Sequence, residues 1–537
     1  MTEVHTNRQE ESIMKTTFRF IIAAMAAIAV FSSCQKELAN ETANKTADGV
    51  RTISVQFDNS TKATLDGFAP KFANGDAIRV SNTEKSEECT VSVDGSDNAT
   101  FTTTLSGALT AIYPSAAAVL SSGEADAPIA TSNNIKVPAS QDGTIAKAII
   151  AKAEIAVGST SATFTSQTAL FQITPPAGAT TFTITSLKPV VDGIARTGDA
   201  VAINTEGADD AAKRVINVTV PSDGTAYVAL KAGVNLTDLS FDAGETYGMK
   251  GIPAKDIAAA GKTDATAANT KYTIGNTNWH PYVTIGGKKW ATMNVGATSA
   301  TDAGTYFMWG ETTGLTSDKI SSANFPSVKY YSADNFNTWS KSGGFCWNNC
   351  PWIKGVYKTS TKNVFTKYVP SFKSDYWGGT GSLDEKATLD LADDAAYANW
   401  GGPWRMPTGG VVASADFTAL AKAAIASYTS GQISYTQTIT TSGAPSDQGV
   451  YYYNVPGETV GVYFVDNSSK TLFFPAACFG YGTSLNLANS SGHYWSSSLS
   501  TSTPQYAFFL CCLATGELGP QNSNYRYYGF SVRPVSD

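Results

Sequence analysis

The chain has 537 residues, a formal net charge of −7 and only 15% charged residues. This length is enough for two or three domains, and no Lys- or Arg-rich patch supports nucleic-acid binding. Thr, Ser, Gly, Asn and Ala are abundant and long amphipathic helical patterns are scarce, which is typical of an extracellular β-rich protein. The composition therefore predicts a mainly β protein.

Residues 1–33 have the features of a lipoprotein signal peptide. Met14 is a better start than Met1, because two basic residues and then the apolar run Phe20–Phe31 follow it. That run is too short to span a bilayer. Small residues directly before Cys34 resemble a lipobox, which implies a diacylglycerol anchor on Cys34 in the outer membrane, with the chain at the cell surface. An ordinary signal peptide with a chance cysteine is the alternative. Residues 34–50 then form a polar tether.

Short alternating runs recur between residues 51 and 257, with turn residues between them, and predict β-sandwiches. The stretch is long for one sandwich, so we predict two, at residues 51–176 and 177–257. The runs are Ile53–Phe57, Ala77–Val80, Cys89–Val93, Ala162–Thr174, Thr181–Leu187, Val215–Val220 and Ala226–Leu230.

An ordered set of short motifs in this region resembles the fimbrillin family of pilin lipoproteins. The motifs are Thr61–Ala63, Phe72–Asp76, Ala111–Pro114, Ile135–Pro138 with Gln141, and Ala169–Ile173. The resemblance implies two transthyretin-like sandwiches, strand donation to other pilins and Arg-directed proteolysis.

Arg51 is the position to which the resemblance carries this proteolytic processing. A lone arginine without such a role is the alternative. A further module follows the fimbrillin-like region, so the donor strand is not at the chain end, and this favours a pilus-tip subunit or a stand-alone surface protein.

Residues 258–280 are of low complexity and are interpreted as a linker. Beyond them, motifs in a fixed order resemble the Fibrobacter succinogenes major paralogous domain, which implies a C-type-lectin-like α+β fold for residues 281–537. The motifs are Trp290–Ala297, Tyr306–Glu311, Asp394–Thr408, Leu472–Ala477, Tyr494–Ser498 and Gly529–Val535.

The segments between the last motifs look arbitrary in residue choice. Together with the Gly529–Val535 ending, they resemble the variable proteins of diversity-generating retroelements, which implies a variable region at residues 473–537 that binds ligand. Its Tyr, Ser and Asn content is typical of antibody paratopes. The predicted ligand-binding residues are Phe479, Tyr481, His493, Tyr506, Phe508, Phe509, Cys511, Leu513, Asn522, Asn524, Tyr525, Tyr527 and Tyr528.

The run Tyr506–Leu513 has apolar or aromatic residues on both alternating faces. One interpretation is a central strand buried on both sides. The other is a strand with one face exposed for binding, since contiguous exposed apolar surface marks interaction sites.

Cys346 and Cys350 are separated by three residues, and no second cysteine pair or histidine lies near them, so structural zinc is not expected. In an exported protein a local disulfide between them is one reading, and two thiols are the other. Cys511 and Cys512 are adjacent and point to opposite faces if they lie in a strand.

Nothing in the sequence supports an enzyme. Beyond the leader only His280 and His493 are histidines, and no nucleophile elbow, zinc-protease motif or phosphate loop is present. Carboxylates such as Asp394 and Glu311 are expected to cap helices or hold loops. No calcium-dependent sugar signature is found, and no metal or cofactor is expected.

The sequence thus predicts a surface lipoprotein adhesin or receptor. Its partner would be an unknown protein or glycan on host cells, phage or neighbouring cells. An invariant structural or glycan-binding lipoprotein of the envelope is the alternative, and variability of the tail distinguishes the two.

Overall fold

The computed structural model describes most of the chain from Gly49 onwards, and β-strands dominate it. The predicted leader, Cys34 and nearly all of the tether lie outside the described residues. No helix in the described part is long and apolar enough to cross a membrane. The described residues are 49–58, 70–131, 135–187, 189–190, 194–197, 200–203, 214–248, 266, 270–320, 344–357, 362–365, 367–369, 384–487, 490–514 and 517–537.

The first sandwich is built from strands that bury one face. In strand β1 (Arg51–Phe57), Ile53, Val55 and Phe57 enter the core and the residues between them face outward, because successive side chains of a strand point to opposite sides. The elements that follow are β2 (Ala77–Ser81), β3 (Ser86–Thr90), β4 (Ser92–Val93), β5 (Ala99–Thr103), β6 (Leu109–Tyr113), β7 (Ser140–Gln141), α1 (Ile145–Ala148), β8 (Ala151–Ile155) and β9 (Ser161–Ser166). All of these strands except β7 form one sheet, in the order β3-β2-β6-β8-β9-β1-β5-β4.

The second sandwich has a three-stranded sheet facing a larger one. Its small sheet has the order β15-β10-β18, with β18 parallel to β10 at the edge. Its strands are β10 (Thr168–Ile173), β11 (Thr181–Ser186), β12 (Ile194–Thr197), β13 (Ala200–Ile203), β14 (Val215–Thr219), β15 (Ala226–Lys231), β16 (Leu239–Asp242), β17 (Thr246–Gly248) and β18 (Lys271–Ile274).

Two predicted boundaries differ from the observed ones. Strand β10 precedes the predicted boundary at residue 176, yet it is the central strand of the second sandwich's small sheet. Part of the predicted linker is strand β18, whose Tyr272 and Ile274 are buried in the same core as Trp279. Both differences arise because strand pairing joins segments that are distant in sequence, which local composition does not report.

The C-terminal module contains the remaining strands and two further α-helices. These are β19 (Trp279–Ile285), β20 (Lys288–Ala291), β21 (Thr305–Tyr306), β22 (Leu315–Thr316), β23 (Ile353–Tyr357), β24 (Lys362–Phe365), α2 (Ala395–Trp400), α3 (Asp416–Ala424), β25 (Ile433–Ser434), β26 (Gln437–Ile439), β27 (Gly449–Tyr453), β28 (Gly461–Val465), β29 (Thr471–Pro475), β30 (Phe479–Tyr481), β31 (Ser484–Asn486), β32 (Ser491–Leu499), β33 (Tyr506–Leu513), β34 (Glu517–Tyr525) and β35 (Val535–Ser536). Short 3₁₀ turns in the described chain cover Ser115–Ala117, Leu236–Asp238, Asn276–Asn278, Ser317–Lys319, Trp347–Asn349 and Leu391–Asp393.

Carboxylates hold the short helices of this module, as the sequence predicts. Asp394 accepts hydrogen bonds from the backbone N–H groups of Tyr397 (3.0 Å) and Met406 (2.8 Å), which caps α2. Glu311 accepts one from the backbone N–H of Met308 (3.2 Å). These contacts assign structural roles to both carboxylates.

One sheet runs from the second sandwich into the C-terminal module. Strand β17 pairs antiparallel with β19, and the full order is β35-β20-β19-β17-β16-β11-β14-β7. At this junction the Nζ atom of Lys289 lies 2.7 Å from Oδ2 of Asp242 and 4.2 Å from the ring centroid of Tyr247. The His280 ring stacks on Trp400 at 3.7 Å. The two units therefore share backbone pairing and side-chain contacts.

Candidate ligand-binding surface

Strand β33 separates two hydrophobic cores over most of its length. Leu510 and Cys512 face a core that contains Trp290. Phe509 and Cys511 face the opposite core, which contains Trp495. Flanked by β32 and β34, this part of the strand is buried on both sides, as the first of the two interpretations predicts.

The beginning of β33 is different, because Tyr506 and Phe508 are only half-buried. Tyr506 pairs across the sheet with Tyr525, and the two rings pack edge to face with centroids 4.6 Å apart. A hydrogen bond between the two hydroxyls raises the pKa of Tyr506 to about 12. The accessible part of the predicted face is therefore this end of the sheet.

Five tyrosines gather at this end and are called the tyrosine platform. Tyr525 stacks on Tyr527 at 5.3 Å, and Tyr528 lies 4.8 Å from Tyr527 and 5.4 Å from Tyr481. Tyr481 reaches them from the β30–β31 hairpin and is 50% exposed. The platform consists of Tyr481, Tyr506, Tyr525, Tyr527 and Tyr528.

The loop before the 3₁₀ turn Trp347–Asn349 supports the platform from below. The Phe345 ring fits against Gly480 and Gly529, where an added Cβ would approach its atoms to 2.2 and 2.4 Å. Trp347 is fully buried and packs on Tyr527 at 4.7 Å and on Tyr525 at 5.7 Å. The sequence did not indicate Phe345 and Trp347 as site residues. Their only signal was the aromatic and glycine content of that loop.

Arg526 interrupts the tyrosines in sequence but points inward. Its guanidinium is buried, donates to the Tyr368 carbonyl (2.5 Å) and lies 4.1 Å from the Phe365 ring centroid. Burial lowers its pKa to about 9. Arg526 thus anchors the turn between Tyr525 and Tyr527 to the module and does not present charge at the platform.

Phe508 forms a neighbouring apolar patch on the same strand face as Tyr506. An added Cβ on Gly410 would lie 3.1 Å from the Phe508 ring, so glycine permits this close approach. The next two residues, Val411 and Val412, are 70% and 55% exposed. The sequence prediction does not include these valines, because they lie almost a hundred residues before Phe508 in the chain.

Four predicted binding residues are removed from direct ligand contact by burial. His493, Phe509 and Cys511 face the core beneath the sheet, and Tyr527 lies under the other tyrosines. The His493 ring packs against Phe509 and Phe479 at 5.3 and 4.8 Å. Burial lowers the pKa of His493 to about 4 and raises the pKa of Cys511 to about 11. Composition and local pattern do not distinguish these buried positions from accessible ones, because burial depends on the elements that pack against them.

The remaining predicted residues lie around the tyrosine platform and the four buried residues. Phe479 is half-buried and joins the His493 core to Tyr528 at 5.5 Å. Asn522 and Asn524 are half-buried on β34 opposite Phe509 and Ala507. Leu513 ends β33 at the far side from Tyr506. The structure therefore brings Tyr481, Tyr506, Tyr525 and Tyr528 together and leaves Leu513 and the two asparagines outside the platform.

Cys346 and Cys350 are both thiols in the structure, which is the second of the two alternatives that the sequence leaves open. The Cys346 sulfur accepts from Nδ2 of Asn349 (3.9 Å), whereas Cys350 is fully buried in the aromatic cluster with Trp347. Burial raises the pKa of the Cys350 thiol. The two thiols thus differ in environment, since Cys346 is half-buried and Cys350 is fully buried.

Arg51, the predicted processing residue, is the first residue of β1 and pairs with Thr103. Its guanidinium donates to the carbonyls of Gly107 (3.2 Å) and Ser159 (3.1 Å). In the folded sandwich these contacts hold the side chain that a protease would have to recognise.

No group of three or more His, Cys, Asp or Glu side chains suited to a metal occurs among the described residues. The tail is also poor in charge, since residues 471–516 contain no Asp, Glu, Lys or Arg. The candidate surface thus offers aromatic rings, hydroxyls and amides for non-covalent contact.

No protein-family model matches the chain, and no curated protein is similar to it. Solved structures give low similarities. A candidate cell adhesion protein from Bacteroides uniformis is 15% identical, with 44% of this chain and 96% of that chain covered and a TM-score of 0.25. A second, from Bacteroides ovatus, is 12% identical over 42% and 92%, with a TM-score of 0.21. A fimbrial protein from Bacteroides ovatus is 12% identical over 90% and 97%, with a TM-score of 0.19.

Proposed function

We propose that this protein is a cell-surface adhesin or receptor that binds its ligand through the tyrosine platform. The observation that supports it is the platform itself: four partly accessible tyrosines held by a buried fifth, by Trp347 and by the inward-facing Arg526. Rigid aromatic side chains give a large contact area at a low entropic cost of binding.

The sandwiches serve as a stalk in this proposal, with a lipid on Cys34 as the anchor and the C-terminal module displayed outward. The shared sheet through β17 and β19 supports the stalk role, because paired backbone transmits load and keeps the module oriented. We place the chain at the outer membrane surface, either alone or at the tip of a pilus, where other pilins would be partners.

Diversification of the tail by a retroelement is a separate part of the proposal. Sequencing the 3′ end of the gene and its flanking DNA tests it. A nearby reverse-transcriptase gene and a near-copy of the tail that differs only at adenines would support it. A solitary gene would favour the invariant envelope lipoprotein.

Binding is tested with the full chain on intact host, bacterial and phage targets. Tyr481→Ser should lower the affinity for the bound target by about tenfold, as expected for loss of an aromatic anchor. Leu391→Ser is the matched control, because Leu391 is also 50% exposed and lies outside the platform. Equal binding by the wild type and Tyr481→Ser would contradict the proposed site.

A further inference from the structure

Two tyrosines of the platform, Tyr481 and Tyr506, lie in a long stretch of the chain without charged residues. Strands β29 to β33 and their connections fall within residues 471–516, which carry no ionisable Asp, Glu, Lys or Arg. The segment 406–415, which supplies Gly410 and the two exposed valines, also has none. Tyr481, Tyr506 and the valine patch therefore lie in charge-free stretches of sequence, whereas Tyr525, Tyr527 and Tyr528 flank Arg526, whose side chain is buried.

The pKa values of the tyrosines agree with this. Among the described residues, the largest causes of the raised pKa values of Tyr506, Tyr527 and Tyr528 are burial and neighbouring tyrosines. Arg526 is the nearest charge in sequence, and its guanidinium is turned to the Tyr368 carbonyl. Phenol rings and hydroxyls are what a ligand meets there.

The polar neighbours are neutral as well. Ser523 is exposed on β34 opposite Phe508, and Ser484 is exposed on the hairpin that carries Tyr481. A ligand with charges would lose their hydration on this surface and gain no opposite charge in return. Protein interfaces normally include arginine and charged rim residues, so an uncharged aromatic surface suits a neutral ligand better than an average protein.

From this we infer that the ligand of the platform is an uncharged glycan, bound without a metal. A pyranose ring has an apolar C–H face that packs on an aromatic ring, whose face carries partial negative charge. Its hydroxyl rim suits the phenol, serine and amide groups around the rings. This inference rests on the proposed function, because it names the ligand class for the same surface.

The fixed orientation of the tyrosine rings also supports a glycan ligand. Tyr506 and Tyr525 are perpendicular, and Tyr481 is inclined by 39° to Tyr528. Rings that are already oriented lose little freedom when a sugar stacks on them. Hydroxyl pairs such as Tyr506 with Tyr525 leave lone pairs available for sugar hydroxyls.

The experiment uses the full chain on a panel of neutral oligosaccharides built from hexoses and N-acetylhexosamines, alongside sialylated and sulfated counterparts. We expect binding to neutral members, unchanged by a calcium chelator and altered less than about twofold between about 0.05 and about 0.5 M salt. Tyr481→Ser should weaken it by about tenfold, and Leu391→Ser should not. Preference for charged glycans would overturn the inference.

Enzymatic and chemical treatment of target cells distinguishes a failure of the glycan inference from a failure of the proposed binding surface. Periodate treatment of the cells should abolish binding and proteinase treatment should spare it. The reverse pattern, still sensitive to Tyr481→Ser, would mean a protein ligand and would overturn the glycan inference while the binding surface stands. Binding that ignores Tyr481→Ser on every target would overturn both.

Discussion

In the first sandwich, β1 buries every second side chain, whereas in the C-terminal module eight of the nine residues of β32 are buried. The first strand covers one core and faces solvent, while the second lies in a sheet with a core on each side. Two arginines, one in each region, differ in burial in the same way. Arg51 donates to backbone carbonyls at a half-exposed strand start, and Arg533 donates to Asn294, Ala291 and Phe473 in a fully buried position. Similar hydrogen bonds therefore contribute differently to stability in the two regions.

The largest expected difference between the two regions is in the stability lost when each arginine is replaced by alanine. Arg533→Ala leaves a cavity and unpaired buried carbonyls, so we expect a loss of roughly 3–5 kcal/mol in the free energy of unfolding. Arg51→Ala should cost only about 1 kcal/mol, because water replaces its hydrogen bonds. Urea unfolding followed by tryptophan fluorescence and circular dichroism measures both. Similar losses for the two variants would contradict the comparison.

In strand β18 a buried and an exposed side chain are neighbours, so substitutions there measure how much burial on one face contributes to stability. Tyr272→Ala removes a ring stacked on Phe171 at 4.9 Å and should cost roughly 3–4 kcal/mol. Thr273→Ala, at the exposed position beside it, should change stability by less than about 0.5 kcal/mol. If Tyr272→Ala were neutral, residues 271–274 would act as linker and the boundary placed here would be wrong.

Lowering the pH should destabilise the C-terminal module through its two histidines. Burial lowers the pKa values of His280 and His493 to about 4, so between about pH 6.5 and 4 the unfolded chain binds more protons than the folded one. Stability present above this window is lost as the pH falls through it, by about 2 kcal/mol per histidine at about pH 5. Burial raises the pKa of Asp394 to about 6, which works in the opposite direction and offsets part of the loss.

His493→Phe checks this assignment, because its neighbours Phe479 and Phe509 favour an aromatic ring. The fall in unfolding free energy between about pH 8 and pH 5 should shrink by roughly half of the histidine contribution. A pH profile identical to that of the wild type would show that His493 is not the group responsible.

The smallest expected effect is at the junction of the two regions. Lys289 and Asp242 form an ion pair that is about a quarter exposed, so a double-mutant cycle with Lys289→Ala and Asp242→Ala should give a coupling of about 0.5–1 kcal/mol. The coupling should fall at high salt. A value near zero would leave the pairing of β17 with β19 as the main connection.

The sequence predicts strands well where one face of the strand is exposed to solvent, because hydrophobic and polar residues then alternate. The runs at Ile53–Phe57 and Thr181–Leu187 match β1 and β11 to within a few residues. The C-terminal strands were harder to orient, because a strand between two cores shows no alternation. For that reason Cys511 and Phe509 were assigned to the binding surface although they belong to the core.

The amino-acid sequence was sufficient to predict the β-rich character and the aromatic tail with the tyrosines that form the platform. The packing of the folded chain shows which of these tyrosines are accessible. It also shows that Arg526 faces inward and that Phe345 and Trp347 support the surface. It also joined β17 to β19 across the predicted linker. The physical reason is that composition and period are local properties, whereas burial and pairing depend on which distant segments meet.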